Sequence, residues 1–79
     1  MITAKQVRAA RALLGWSQQE LADRALVSGN AVVRLERGDD SRSSTVGNIE
    51  KALRDAGVEF IPETTSKGEG VRLASPSGQ

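Results

Sequence analysis

Asn30 and Arg34 are the side chains of this 79-residue chain best suited to chemistry with a partner molecule. Asn offers a paired donor and acceptor, and Arg a rigid fork of donors. Their four-residue spacing matters because a helix turns about 100° per residue. With Asn30 set at zero, Arg34 falls about 40° away and Arg37 about 20° away on the other side. Val32 and Leu35 fall at about 200° and 140°, on the opposite face. One side of such a helix can pack on its own domain while the other enters a major groove, where Asn and Arg pair with purine edges. Val33 lies about 60° from Asn30, on the outward half, where a thymine methyl is within its reach. Ser17 and Gln18 open the preceding helix, whose first amides can meet a phosphate.

What the chain lacks excludes other chemistry. It has no His, no Cys and no Tyr. There is no thiolate to ligate zinc or attack a substrate, and no disulfide. The usual general base near neutral pH is missing too. Asp39 and Asp40 are adjacent but lack the second acidic cluster that a Mg²⁺-dependent nuclease needs. Gly68-Glu69-Gly70 has no strand–loop–helix context for cradling phosphate. The chain reads as a non-enzyme with no metal and no cofactor. No apolar run exceeds three residues, so no membrane span is expected. With no signal-peptide pattern at the start, a cytoplasmic location is expected. The net charge of +1 gives no global pull toward nucleic acid, so any such binding must be local. Residues 1–42 hold seven basic and five acidic side chains, and residues 43–79 four and five. The first half is the more anion-facing one.

The length suits one small domain. Thr3 with Gln6, and Ser17 with Glu20, have capping-box spacing and start the first two helices. Val7, Ala10 and Leu14 recur at helical intervals until Gly15; Leu21, Ala22 and Ala25 do so in the second helix. Ser28 starts a third helix that buries Val32 and Leu35 and stops at Gly38. A fourth is expected from near Thr45 to Gly57, burying Val46, Ile49, Ala52 and Leu53, with Gly47 weakening it by about 1 kcal/mol. Glu50–Arg54 and Lys51–Asp55 are expected surface pairs, and Trp16 a packing residue. Only Leu26 and Val27 separate the second helix from Ser28, which forces a sharp helix-turn-helix corner. Beyond Gly57, Val58–Ile61 and Val71–Leu73 read as short strands, forming a hairpin or two separate edges. A lone hairpin is barely stable in water, so Val58, Phe60, Ile61, Val71 and Leu73 need a cover, either the domain or a second chain.

With these residues in view, the segment 6–57 resembles the phage-repressor-like (XRE/Cro-type) helix-turn-helix family. The matching residues are Leu14-Gly-Trp-Ser-Gln-Gln-Glu-Leu-Ala22, Val27-Ser28 and Arg34-Leu-Glu-Arg-Gly38. The resemblance implies a mainly α fold: a lambda-repressor-like bundle of about four helices, here with a short C-terminal β hairpin or strands. It implies base reading by Gly29, Asn30, Ala31, Val33 and Arg34, and phosphate contacts from Ser17, Gln18, Ser28, Arg37 and Arg42. It also implies a structural ion pair between Arg11 and Glu36, and a homodimer on double-stranded DNA. The tail resembles that of small bacterial regulators in which strands replace the last helix, which places the dimer contact on Val58, Phe60, Ile61, Val71 and Leu73. The expected organisation is a DNA-binding domain over residues 1–57, dimerisation strands over 58–73 and a frayed tail over 74–79.

Three departures from the family pattern stand out. Leu26 occupies the turn position that is usually Gly. Gly29 and Ala31 offer little side chain for base contacts, so readout leans on Asn30, Arg34 and Val33. Asp39 and Asp40 lie in a loop where basic residues would favour phosphate. The implied function is a sequence-specific transcriptional regulator, a dimeric repressor or controller-type autoregulator on an inverted-repeat operator, with no small-molecule effector. The alternative is a DNA-binding antitoxin or other interaction module that needs a partner protein.

Overall fold

The computed structural model describes residues 2–39 and 41–74. Four helices precede two strands: α1 Ala4–Leu14, α2 Gln18–Ala25, α3 Gly29–Glu36, α4 Ser43–Asp55, β1 Val58–Ile61 and β2 Gly70–Leu73. Both capping boxes form, Thr3 with Gln6 and Ser17 with Glu20. Ser28 caps α3 by accepting from the Ala31 amide at 3.1 Å. The fourth helix starts two residues before the expected Thr45. The Arg42 carbonyl accepts from the Val46 amide at 3.0 Å, and no side chain caps this end. Ser41, Ser43, Ser44 and Thr45 are all capable caps by type, so the hydroxyl pattern does not mark one start.

The core gathers Val7 and Ala10 of α1, Leu21, Ala22 and Ala25 of α2, Val32 and Leu35 of α3, Val46, Ile49 and Leu53 of α4, and Val58 of β1. Leu14, Trp16, Val27 and Ala52 are half-buried around it. Trp16 carries the Arg24 guanidinium over its ring at 4.4 Å, a cation–π contact that holds the rim of α2. Glu50–Arg54 and Lys51–Asp55 pair along α4.

The chain ends α1, α2 and α3 in the same way, with a left-handed residue whose successor's amide reaches back to the last turn. Trp16 N donates to Arg11 O, Val27 N to Ala22 O and Asp39 N to Arg34 O. The left-handed residues are Gly15, Leu26 and Gly38, with φ of 69°, 60° and 84°. Leu26 therefore keeps the family turn rather than rebuilding it, and it is 87% exposed. An L-residue in this region costs about 1–2 kcal/mol, against about 0.5–1 kcal/mol of extra unfolded-state entropy for Gly. Leu26→Gly is expected to stabilise the chain by about 0.5–1 kcal/mol, a rise of several degrees in a thermal melt. A lower melting temperature would show that the leucine side chain makes a contact that outweighs its strain.

The strands form one antiparallel hairpin with Val58 opposite Leu73, Glu59 opposite Arg72, Phe60 opposite Val71 and Ile61 opposite Gly70. Val58 is 3% exposed and belongs to the core, while Phe60, Val71 and Leu73 are half-buried against it. The outer face carries Ile61 and a Glu59–Arg72 ion pair at 2.6 Å. Gln6 fastens the hairpin to α1. Its oxygen accepts from the Thr3 amide, and its Nε2 donates to the carbonyls of Ile61 (3.2 Å) and Gly70 (2.9 Å). Sequence pattern assigned Gln6 the capping role alone. The expected frayed tail, residues 74–79, lies outside the described residues beyond Ala74.

Candidate nucleic-acid interface

Helix α3 is held from behind and from its C-terminal end. Val32 is 0% and Leu35 7% exposed, so the helix is anchored by its inward stripe. The opposite stripe presents Asn30 and Arg34, both exposed, with Gly29, Ala31 and Val33 half-buried beside them. Among the described residues, neither Asn30 nor Arg34 uses its side chain in a hydrogen bond or ion pair. Their donors and acceptors are therefore free for a partner. Arg34 and Ala31 form one wall of a concave surface of about 480 Å³, whose other wall is Ser41, Arg42 and Thr45 at the start of α4. Two arginines thus border one recess, against the near-neutral charge of the whole chain.

The C-terminal end of α3 is fixed through Glu36, whose side chain is only 4% exposed. Arg11 Nε donates to its Oε2 at 2.7 Å and Arg11 Nη2 to its Oε1 at 2.9 Å, a two-bond fork. Arg11 also donates through Nη1 to the Trp16 carbonyl at 3.0 Å. Gln18 Nε2 donates to Glu36 Oε1 at 3.0 Å. One carboxylate therefore joins α1, the first turn of α2 and the end of α3. Burial by itself pushes the Glu36 carboxyl up. Hydrogen bonds from Arg11 and Gln18, with the charges of Arg11 and Arg8, outweigh it and hold the group below the usual carboxylate value. The hydrogen bond to Glu36, working against burial, holds Arg11 above its ordinary value.

Arg8 has a structural role that the sequence pattern does not assign. Its Nη1 donates to the Glu36 main-chain carbonyl, placing a cation at the negative end of the α3 dipole. Arg8 lies three residues before Arg11, so the two arginines that reach Glu36 share one side of α1. Of the residues expected at phosphate, Ser17 and Ser28 use their hydroxyl oxygens as acceptors from Glu20 and Ala31 amides. Each hydroxyl proton stays available as a donor. Gln18 keeps one amide hydrogen beyond its bond to Glu36. Arg37 is paired with Asp39 at 2.9 Å on the exposed surface, a contact that a phosphate must displace. Arg42 is exposed at the uncapped start of α4. Asp40 lies outside the described residues.

Residues 7–61 match the helix-turn-helix family, and the chain belongs to it, in the XRE/lambda-repressor branch. It is a DNA-binding regulator of that type, with DNA as its partner. A search of curated proteins gives no match. Among the described residues, no helix is long and apolar enough to cross a membrane, and no group of three or more His, Cys, Asp or Glu is placed to hold a metal ion.

Proposed function

We propose that the chain is a sequence-specific repressor or controller-type autoregulator that acts as a homodimer on an inverted-repeat operator in the cytoplasm. It works without catalysis, cofactor or small-molecule effector. Residues 1–57 bind DNA and the 58–73 segment serves the dimer. The observation that carries this reading is the two-sided helix α3: unpartnered Asn30 and Arg34 outside, buried Val32 and Leu35 inside. In the major groove, Arg34 pairs with the O6 and N7 of a guanine and Asn30 with the N6 and N7 of an adenine. Ala31 and Val33 lie against thymine methyls, and Gly29 lets the backbone approach the base edges. Ser17, Gln18, Ser28, Arg37 and Arg42 hold the flanking phosphates and set the register.

Selection of bound sites from random duplexes tests this. The expected product is an inverted repeat whose half-sites lie about one helical turn apart, roughly 34 Å centre to centre. Only the arginines Arg37 and Arg42 neutralise phosphates, so a dimer makes about four such contacts. The logarithm of the affinity is then expected to fall against log salt with a slope of about −3.6. Failure to enrich any duplex would overturn the proposal.

A further inference from the structure

The first residue of α3 has no side chain, yet the space where one would lie is filled. A Cβ on Gly29 would stand 2.9 Å from Gln19 Oε1 and 3.7 Å from Gln19 Cδ. Gln19 belongs to α2 and is exposed. Its carboxamide therefore stands where the polar end of a side chain on residue 29 would stand. The place matters on the wheel of α3. With Asn30 at zero, Val33 lies about 60° and Gly29 about 100° round in one sense, so the two form one flank of the outward face. Ala31 lies about 100° round in the other sense, on the flank that meets Ser41, Arg42 and Thr45. Arg42 supplies the long polar side chain on that second flank. On the first flank Gln19 supplies it, from a neighbouring helix.

The carboxamide is also oriented. Its Nε2 donates to Asp23 Oδ1 at 2.8 Å, across one turn of α2. A carboxylate only accepts, so the amide nitrogen must face Asp23 and the oxygen must face Gly29. Among the described residues no donor reaches Gln19 Oε1, and the second Nε2 hydrogen has no acceptor. One donor and one acceptor remain side by side on a plane that Asp23 holds. That pattern pairs with the N7 and N6 of adenine, whereas guanine shows two acceptors and satisfies only one of the two groups. Asp23 lies more than a turn beyond Ser17 and Gln18, so its charge stands back from the end of α2 assigned to phosphate.

We infer that Gln19 reads an adenine of each half-site from α2, in place of the side chain that Gly29 lacks, with Asp23 as the positioning residue that sets which way its carboxamide faces. The inference rests on the proposed function in taking α3 to lie in the major groove. Gly29 then has a second use beyond backbone approach, because any side chain there would displace Gln19. The contact between Gln19 and Gly29 spans ten residues and two helices, so the wheel of α3 alone does not reveal it.

The test uses the full chain and the duplex recovered by site selection, with each base pair of one half-site replaced in turn. Gln19→Ala is expected to weaken binding to the recovered duplex about fivefold or more per half-site and to erase a preference for A·T at one position while leaving the others. Its thermal melt should not change, because Gln19 is exposed. Gly29 has no left-handed φ, so Gly29→Ala keeps the helix but pushes the carboxamide away. It should lose the same preference, and adding Gln19→Ala should then cost nothing further. Asp23→Ala frees the amide to turn both its N–H bonds toward a guanine, so G·C should be admitted at that position. Asp23→Asn keeps an acceptor for Nε2 and should restore the preference for A·T. A Gln19→Ala chain that keeps every base preference, or that loses affinity equally on the recovered and a scrambled duplex, overturns the inference. So do additive losses from Gly29→Ala and Gln19→Ala. Each of these results leaves the DNA reading standing. A wild-type chain that enriches no duplex overturns that reading and this inference with it.

Discussion

Arg34→Ala is expected to weaken binding to the selected operator by about 5- to 150-fold per half-site, corresponding to about 1–3 kcal/mol. The size follows from geometry. A guanidinium with no internal partner loses nothing inside the protein when it binds, and its planar fork makes two bonds to one guanine. Removing it leaves both guanine acceptors without their donors in a groove from which water is partly excluded. The loss should appear on the operator and be much smaller on a scrambled duplex, because a base contact carries sequence information and a single charge does little else. Arg34→Lys should recover the charge but only part of the discrimination. Arg37→Ala is the contrast: affinity falls about equally for both duplexes, and the salt slope drops by about 1.8, one phosphate contact in each of the two copies. Melting temperature should stay within a degree or two for Arg34→Ala, since the side chain is exposed and unpartnered. Fluorescence anisotropy on operator and scrambled DNA at two salt concentrations reads all of this. Equal loss on the two duplexes would reassign Arg34 to a phosphate.

How much of this could be read from the sequence depends on the range of each contact. The caps at Thr3, Ser17 and Ser28 and the two faces of α3 were legible because they follow from spacings of three or four residues. The α2–α3 corner was legible for the same reason, although Leu26 left open whether its left-handed turn survived. It does, at φ 60°. The start of α4 was misplaced because several hydroxyl residues there compete as caps. The role of Gln6 was only half visible. Its bond to Thr3 spans three residues, but its bonds to Ile61 and Gly70 span 55 and 64, and no periodicity encodes such a distance. The same limit hid Arg8 at the end of α3 and Gln18 on Glu36. For the interface, the sequence identified the exposed polar pair, and the family resemblance implied the Arg11–Glu36 tie that the structure shows; what the packed structure adds is Gln18 on the same carboxylate and Arg8 on the Glu36 carbonyl.

That carboxylate is where the largest loss of stability is expected. Arg11→Met removes both forked donors from Glu36, whose side chain is 4% exposed, and leaves Gln18 as its only side-chain donor. Breaking a buried pair from one side costs about 3–5 kcal/mol, and the low end is expected here because Gln18 and the Arg8 charge still face Glu36. A domain this small has little more than that to lose, within the usual range of about 5–15 kcal/mol and toward its lower end. The single variant should therefore be partly unfolded near 37 °C by urea titration and thermal melting. The double variant Arg11→Met with Glu36→Leu should recover most of the stability, since no buried charge remains. It should not recover full operator affinity, because Gln18 has lost the acceptor that orients it toward phosphate. The pH dependence gives an independent check. The folded Glu36 value lies below the unfolded value of about 4.3, so the unfolded chain binds more protons between the two. Stability from this group is fully present above the unfolded value and is lost as pH falls through the folded one. The wild type should weaken on acidification below about pH 4. The double variant should show a shallower acid limb, while the two proteins keep parallel behaviour between pH 6 and 8, where no shifted group of the pair titrates. An acid limb of equal depth in both would show that another carboxylate, not Glu36, sets the acid sensitivity of the fold.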